Sequence, residues 1–391
     1  MMKRILAVFT VLLFAIPFFG SLIIFGEQSG RFLSSENREV AAFDGLDRFT
    51  AKGLKKFFIN KSQYIDDRLI GKEELVPVIN EILLDPEKFS RFDLSKGLVG
   101  QNEWIFLGND YAHVIDKHCQ ENYPFDSYEF QSTIDKIDVL KNTAEASGGT
   151  YVLFLAPDKH NIYCEELPQW LSTTCQNSET YTRKLVNKIQ EQLSVDIVYP
   201  VSEMKSQTSS GQLFFKSDTH WNLLGARIAF VSLLKDLERL ELIEYFHEIP
   251  LMELNRVKNN SIGDLGHILG LPADYKIVED YDYVFPHLEQ LMVKWQERNQ
   301  KEEQKPFTVS SGSAPSKFYA RMKNDSAVYK KKILVLCDSF NHALSPFFNL
   351  YFSEVLYVSR RSSMEEKVEM IRKFKPEIVI NEVVERDLDN L

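Results

Sequence analysis

Ile333-Leu334-Val335-Leu336-Cys337-Asp338-Ser339-Phe340 is the stretch that decides how this chain is read. The apolar run Ile333 to Leu336 predicts a strand buried in a core. It ends at Asp338-Ser339, and a helix is expected around Phe340 to Leu350. The serine therefore falls where a strand passes into a helix, a common place for an exposed nucleophile in α/β folds. Taken alone, Asp338-Ser339 also reads as a helix cap. A second motif tips the balance: Asp218-Thr219-His220-Trp221-Asn222. A serine hydroxyl is unreactive without a base to take its proton and a carboxylate to orient that base. Asp218 and His220, two apart in an extended loop, fall on one side of the chain. Ser339 is read as nucleophile, His220 as general base and Asp218 as the carboxylate that orients it.

Outward from this stretch, strands and helices alternate. Thr150 to Leu155, Val195 to Tyr199, Ile333 to Leu336, Val355 to Val358 and Ile378 to Ile380 predict strands. Ser127 to Ala146, Ser178 to Leu193, Leu223 to Leu240 and Ser363 to Phe374 predict helices, the first stopped by Gly148-Gly149. Ser178 is the expected N-cap of the second. Such alternation implies βαβ units and a parallel sheet flanked by helices. Sites in such sheets lie beyond the carboxyl ends of the strands. Pro157-Asp158, Pro200-Val201 and Asp338-Ser339 all follow strand ends, so they should gather on one edge.

Further motifs run in order along the chain: Gly100 to Leu107 (GQNEWIFL), Pro157-Asp158-Lys159 through Tyr163, Gly263-Asp264-Leu265 with Leu269-Gly270-Leu271, and Pro376 to Ile380 followed by Glu385-Arg386. With the two site motifs, this series resembles the SGNH-hydrolase-like acetyltransferases of the alginate O-acetylation family, over roughly residues 90 to 388. The family usually has glycine where this chain has Cys337. The resemblance implies an SGNH-hydrolase-like (flavodoxin-like) α/β fold with the triad in permuted chain order, Asp218 and His220 before Ser339. It also implies O-acetyl transfer to an exported polysaccharide through an acetyl-serine, with no cofactor bound by the chain itself. The acetyl donor would come from a membrane-bound O-acyltransferase partner, alongside other polysaccharide-export proteins. A carbohydrate esterase with the same triad, and a non-catalytic polysaccharide-binding or assembly subunit, are the alternative readings.

Lesser candidates surround the triad. The Ser339 N–H, Asn222 and Asn341 are candidate oxyanion donors. Trp221 and Trp104 are candidates for stacking on a sugar ring, with burial in the core as the other reading. Asp158 and Lys159 are expected to orient a loop at the site, and Glu385 and Arg386 to pair with each other. Asp-x-His can supply two metal ligands, with His160 or His342 as the third. The triad reading is preferred, and no metal is assigned. Gly-x-Ser-x-Gly is missing, which argues against the usual α/β-hydrolase elbow, and the Walker and Rossmann glycine patterns are missing, which argues against a nucleotide cofactor.

The ends and composition set the rest. Lys3 and Arg4 precede Ile5 to Phe25, a charge-free run of about 21 residues, long enough to span a bilayer. No small-x-small cleavage site follows it. Residues 1–26 are therefore expected to anchor the chain in the cytoplasmic membrane, N-terminus inside and body outside. Residues 27–90 are expected to form a helical stalk, and 91–391 the catalytic domain with a charged, Ser/Gly-rich excursion at about 285–330. A net charge of −10 argues against nucleic acid as a partner. Four cysteines suit the extracytoplasmic side. Cys164–Cys175 is the expected disulfide, and Cys119 is the alternative partner for either; the sequence does not choose.

Overall fold

The computed structural model describes residues 95–120, 123–124, 126–177, 180–247, 255–259, 261–271, 279–284 and 319–391, together with a short antiparallel pair, β1 (Phe32–Leu33) and β2 (Arg38–Glu39). The expected anchor and nearly all of the expected stalk lie outside these residues. Among the described residues no helix is long and apolar enough to cross a membrane.

A hairpin of β3 (Gly97–Val99) and β4 (Ile105–Leu107) is followed by α1 (Val114–Cys119), α2 (Ser127–Ala146), β5 (Thr150–Ala156), α3 (Lys159–Ile162), α4 (Gln169–Asn177), α5 (Tyr181–Gln192), β6 (Asp196–Val198), α6 (Val201–Gln207) and α7 (Leu223–Arg239). Next come β7 (Asn255–Lys258), α8 (Asp264–Ile268), β8 (Tyr281–Val284), β9 (Tyr319–Lys323), β10 (Tyr329–Cys337), α9 (Asn341–Tyr351), β11 (Phe352–Ser359), α10 (Met364–Phe374) and β12 (Ile378–Val384). Six strands form one sheet in the order β6-β5-β12-β10-β11-β9. All neighbours are parallel except β9, which runs antiparallel to β11. The sheet is thus mixed. Its antiparallel edge, Tyr319–Lys323, lies inside the stretch expected to be an irregular excursion; residues 285–318 of that stretch lie outside the described residues.

The central strands carry continuous apolar runs because both faces are covered. Val152, Phe154, Ile333, Val335 and Ile380 face α7, α9 and the β3–β4 hairpin. Tyr151, Leu153, Leu334, Leu336 and Val379 face α2, α5 and α10. The result is a three-layer α/β/α sandwich. Local chemistry sets the helix ends. Asp126 accepts from Tyr128 N and Glu129 N at the start of α2, and Gly148, at φ +85°, ends that turn in a conformation glycine tolerates. Ser363 and Glu366 form a reciprocal capping box at α10. For α5 the cap is Thr180, which accepts from Arg183 N; Ser178, the expected cap, lies outside the described residues.

Because β5, β6, β10, β11 and β12 are parallel, their carboxyl ends share one edge of the sheet. Asp158, Asp338 and Glu385 all emerge there.

Candidate active site

The turn after β10 is pinned to its neighbour strand. Asp338 N donates to Glu382 Oε2 (3.0 Å), while the Asp338 carboxylate accepts from Phe340 N and Val384 N, both at 2.8 Å. Asp338 therefore shapes the turn and does not reach a histidine. Ser339 is left exposed at the tip, just before α9. Glu382 is fully buried, and burial, then the charge of Asp338, raises its pKa well above the usual carboxylate range. The Cys337 thiol is directed across the sheet, 3.7 Å from the Val358 carbonyl on β11, and burial pushes its pKa up.

The loop carrying Asp218 and His220 is held from below by a buried ammonium. Lys159 Nζ donates to the carbonyls of Phe215 (3.1 Å), Lys216 (3.1 Å) and Asp218 (2.7 Å). The same Nζ lies 5.8 Å from the Trp104 ring centroid and 5.5 Å from that of Phe106. Burial lowers its pKa to about 7, against the charges of Asp218, Asp264 and Asp280. From the other side, α8 leans directly on the loop. Leu265 N and Gly266 N donate to the Ser217 carbonyl, and Asp264 N to Asp218 Oδ2. A Cβ at Gly263 would stand 2.5 Å from both Asp218 Cβ and Ser217 O, so only glycine allows this approach.

These constraints bring the three candidate groups into one series. His220 Nδ1 lies 2.6 Å from Asp218 Oδ1, and His220 Nε2 lies 2.8 Å from Ser339 Oγ. Asp218 also accepts from His220 N at 2.9 Å. Burial disfavours the imidazolium, but the hydrogen bond and charge of Asp218, with the charge of Asp264, outweigh it and raise the pKa of His220. Burial likewise works against ionised Asp218, but the hydrogen bond and charge of His220 hold its pKa down at about 2. The imidazole ring packs on Phe340 (4.9 Å between centroids), whose other neighbours are Trp221 and the Arg386 guanidinium. A base fixed between a carboxylate and a hydroxyl, with that hydroxyl exposed, is an arrangement suited to nucleophilic acyl transfer.

Sequence reasoning quoted Asp264 in a motif but gave it no role. It is a second carboxylate at the histidine, with Oδ2 3.8 Å from His220 Nδ1, and it also accepts from Thr219 N and Thr219 Oγ1. Burial, then the charge of Asp218, raises its pKa. Its spacing to glycine was the available signal.

Behind the triad, Asp158 is buried. One oxygen pairs with Arg386, the other lies 3.4 Å from His118 Nε2. Arg386 thus pairs with Asp158 and not with Glu385 as expected. Glu385 instead accepts from Asp158 N, Asn161 Nδ2 and Tyr199 OH. The reason is topological: β5 and β12 are adjacent and parallel, so their following residues meet end to end.

Other expectations are corrected. Asn222 is not placed to donate to an oxyanion. Its amide donates to the carbonyls of Gln212 and Tyr281, and its Oδ1 caps α7 at Gly225 N. Trp221 is 1% exposed and donates from Nε1 to the Phe340 carbonyl, so it is core and not a sugar platform. Trp104, also buried, stacks on Tyr163. Asn341 is buried at the first position of α9, with no partner for Oδ1. The disulfide joins Cys119 to Cys175, and Cys164 is free; α1 packs against α4, which brings Cys119 to Cys175. Two clusters hold metal-capable groups within reach of one another, Asp218/His220/Asp264 and His118/Asp158/Glu385. In the first, both ring nitrogens of His220 already face Asp218 and Ser339. In the second, Arg386 and Tyr199 already bind the carboxylates.

Residues 98–287, which include Asp218 and His220, match the family model described as SGNH hydrolase-like domain, acetyltransferase AlgX. Over those residues, just under half of its length, the chain is similar to this acetyltransferase family. Ser339 lies beyond the matched residues and joins the site through the sheet. A probable alginate O-acetylase, AlgJ, of Pseudomonas putida is 24% identical over 152 residues, 37% of this chain and 35% of that protein. The match therefore spans about a third of that relative's length. The solved structure of Bacillus cereus PatB1 is similar to this SGNH-like fold with a TM-score of 0.52, at 16% identity and over 74% of this chain and 95% of that one. The O-acetyltransferase domain of Pseudomonas putida AlgJ gives a TM-score of 0.45 at 15% identity, over 75% of this chain and 92% of that one.

Proposed function

We propose that this AlgX-like domain is an O-acetyltransferase that places acetyl groups on hydroxyls of an exported polysaccharide through an acetyl-Ser339 intermediate. The observation that carries the reading is the contact series from Asp218 Oδ1 to His220 Nδ1 and from His220 Nε2 to Ser339 Oγ. Neutral His220 takes the Ser339 proton as Oγ attacks the acetyl carbonyl, and Asp218 stabilises the imidazolium that forms. The Ser339 N–H, for which no acceptor occurs among the described residues, faces the developing oxyanion with the N-terminal end of α9 behind it. His220 then protonates the leaving group. In the second half, a sugar hydroxyl gives its proton to His220 and attacks the acetyl-serine, releasing the acetylated sugar and free Ser339.

The exposure of Ser339 suits an acceptor too long to be enclosed. The charge-free run 5–25 supports an anchor in the cytoplasmic membrane with the domain outside. A domain there has no access to cytoplasmic acetyl-CoA. A membrane-bound O-acyltransferase partner would supply the acetyl group, within an assembly of polysaccharide-export proteins.

An esterase with the same triad would differ only in the acceptor, and the similarity to an acetyltransferase family supports the transferase. The deciding experiment supplies an activated acetyl ester with and without an oligosaccharide. A transferase yields acetylated oligosaccharide by mass spectrometry in a Ser339-dependent manner. Free acetate as the sole product, at a rate the oligosaccharide does not change, would overturn the proposal.

A further inference from the structure

We infer that the cavity beside the Cys119–Cys175 disulfide binds a small hydroxylated anion, a sugar carboxylate or sugar phosphate of single-ring size. This cavity has a volume of about 220 Å³, and its lining includes none of Asp218, His220 or Ser339. Binding sites for drug-sized ligands run to roughly 300–1,000 Å³, so this one takes something smaller.

The charge of the walls selects the class. Arg183 and Lys205 line the mouth, both exposed, and His118 lines the floor. Among the described lining residues there is no carboxylate. The N-terminus of α5, capped by Thr180, opens onto the same space and adds to the positive potential. A metal cation would meet the Arg183 guanidinium and Lys205 ammonium on its way in.

The floor makes a second demand, independent of the first. His118 and His160 are each 2% exposed, and their rings are parallel with centroids 5.7 Å apart. Each has one nitrogen engaged: His118 Nε2 with Asp158, and His160 Nε2 with the Leu107 carbonyl at 2.9 Å. Each leaves Nδ1 without a hydrogen-bond partner. His118 Nδ1 is 3.8 Å from Glu385 Oε1, too long for a hydrogen bond.

The two free nitrogens are chemically different. A carbonyl only accepts, so His160 carries its proton on Nε2 and presents a lone pair at Nδ1. Burial, then the charge of His118, pushes its pKa down to about 3 and keeps it neutral. For His118, burial is outweighed by the charge of Glu385 and the hydrogen bond and charge of Asp158, and its pKa is raised; this favours the imidazolium, whose Nδ1 donates. A ligand that completes this floor brings an anionic oxygen for His118 and a hydroxyl proton for His160. Chloride or sulfate meets only the first demand, and a neutral sugar only the second.

The test titrates the full chain, disulfide intact, with glucuronate, glucose 6-phosphate, glucose and sulfate by calorimetry. At least one charged sugar is expected to bind saturably, with glucose and sulfate weaker by about tenfold or more. A preference for glucuronate identifies a carboxylate ligand, and one for glucose 6-phosphate a phosphate ligand. The double variant Arg183→Ala/Lys205→Ala changes two exposed side chains and leaves the core untouched. It should weaken the charged sugar by about tenfold or more, while Ser339→Ala should not change its affinity. Failure of both charged sugars to bind would overturn the inference. So would glucose or sulfate binding as tightly as they do, or undiminished binding to the double variant.

Discussion

Asp264 Oδ2 lies 3.8 Å from His220 Nδ1, the nitrogen that Asp218 Oδ1 holds at 2.6 Å. The imidazole thus faces two carboxylates at different ranges. The near one fixes ring orientation and tautomer. The far one contributes charge and, through Thr219, holds the loop. Their removal should have different signatures.

Asp218→Asn should lower kcat on an acetyl ester by about 10³–10⁴-fold, because the ring loses the acceptor that fixes its tautomer. Asp264→Asn should keep kcat within about tenfold of wild type, since the amide still accepts from Thr219. It should also move the acid limb of the rate–pH profile to lower pH by roughly one unit or less, as a negative charge has been removed from the imidazolium. A loss at Asp264→Asn as large as at Asp218→Asn would assign the orienting role wrongly.

The proposed mechanism requires neutral His220, whose pKa is raised from 6.5 by Asp218 and Asp264 against the opposing effect of burial. The rate should therefore fall as pH drops through a midpoint above 6.5. Stability should move the other way. The imidazolium–Asp218 pair contributes fully below the unfolded value of about 6.5 and is lost as pH rises through the higher folded value. Denaturant midpoints of wild type and His220→Ala, compared across this window, check the sign: the wild-type advantage should shrink as pH rises.

Lys159 and Gly263 hold the Asp218 loop from opposite sides without touching a reacting atom. Lys159→Met removes three hydrogen bonds to backbone carbonyls. Gly263→Ala forces a Cβ to 2.5 Å from Asp218 Cβ. Each should lower kcat by about 10²-fold through misplacement of the base. Circular dichroism should show the α/β fold retained, and an unchanged rate in either variant would contradict the bracing role.

The Cys119–Cys175 bridge closes a loop with a sequence separation of 56. Its removal in Cys119→Ser/Cys175→Ser should lower unfolding free energy by about 2–4 kcal/mol. Non-reducing peptide mapping should find this pair joined and Cys164 as a free thiol. A Cys164–Cys175 peptide would refute the pairing.

The catalytic-type residues were legible because each belongs to a short local pattern. A strand ending in Asp-Ser and an Asp-x-His on a loop carry their chemistry in adjacent residues. The sheet was legible for the same reason: strands buried on both faces show continuous apolar runs, such as Tyr151 to Ala156 in β5 and Ile378 to Ile380 in β12. The antiparallel edge β9 was not, because Tyr319–Lys323 alternates charged and apolar residues beside a charged stretch. Partnerships across the sheet edge were also hidden. Arg386 pairs with Asp158, 228 positions away, because β5 and β12 are neighbours, and nothing local to either residue says so. Asn222 was misread, and Trp221 was left open between core and sugar platform, because a motif marks where residues are needed and not why. Here one caps a helix and the other fills the core under the histidine.

The most direct measurement of the central claim is peptide mass spectrometry after brief exposure to an activated acetyl ester at a pH above the His220 midpoint. The wild type should carry one acetyl group on the peptide containing Ser339. That label should be lost on adding an oligosaccharide acceptor and be missing in Ser339→Ala and His220→Ala. Turnover of the ester with no acetyl on Ser339, or undiminished turnover by Ser339→Ala, would contradict it.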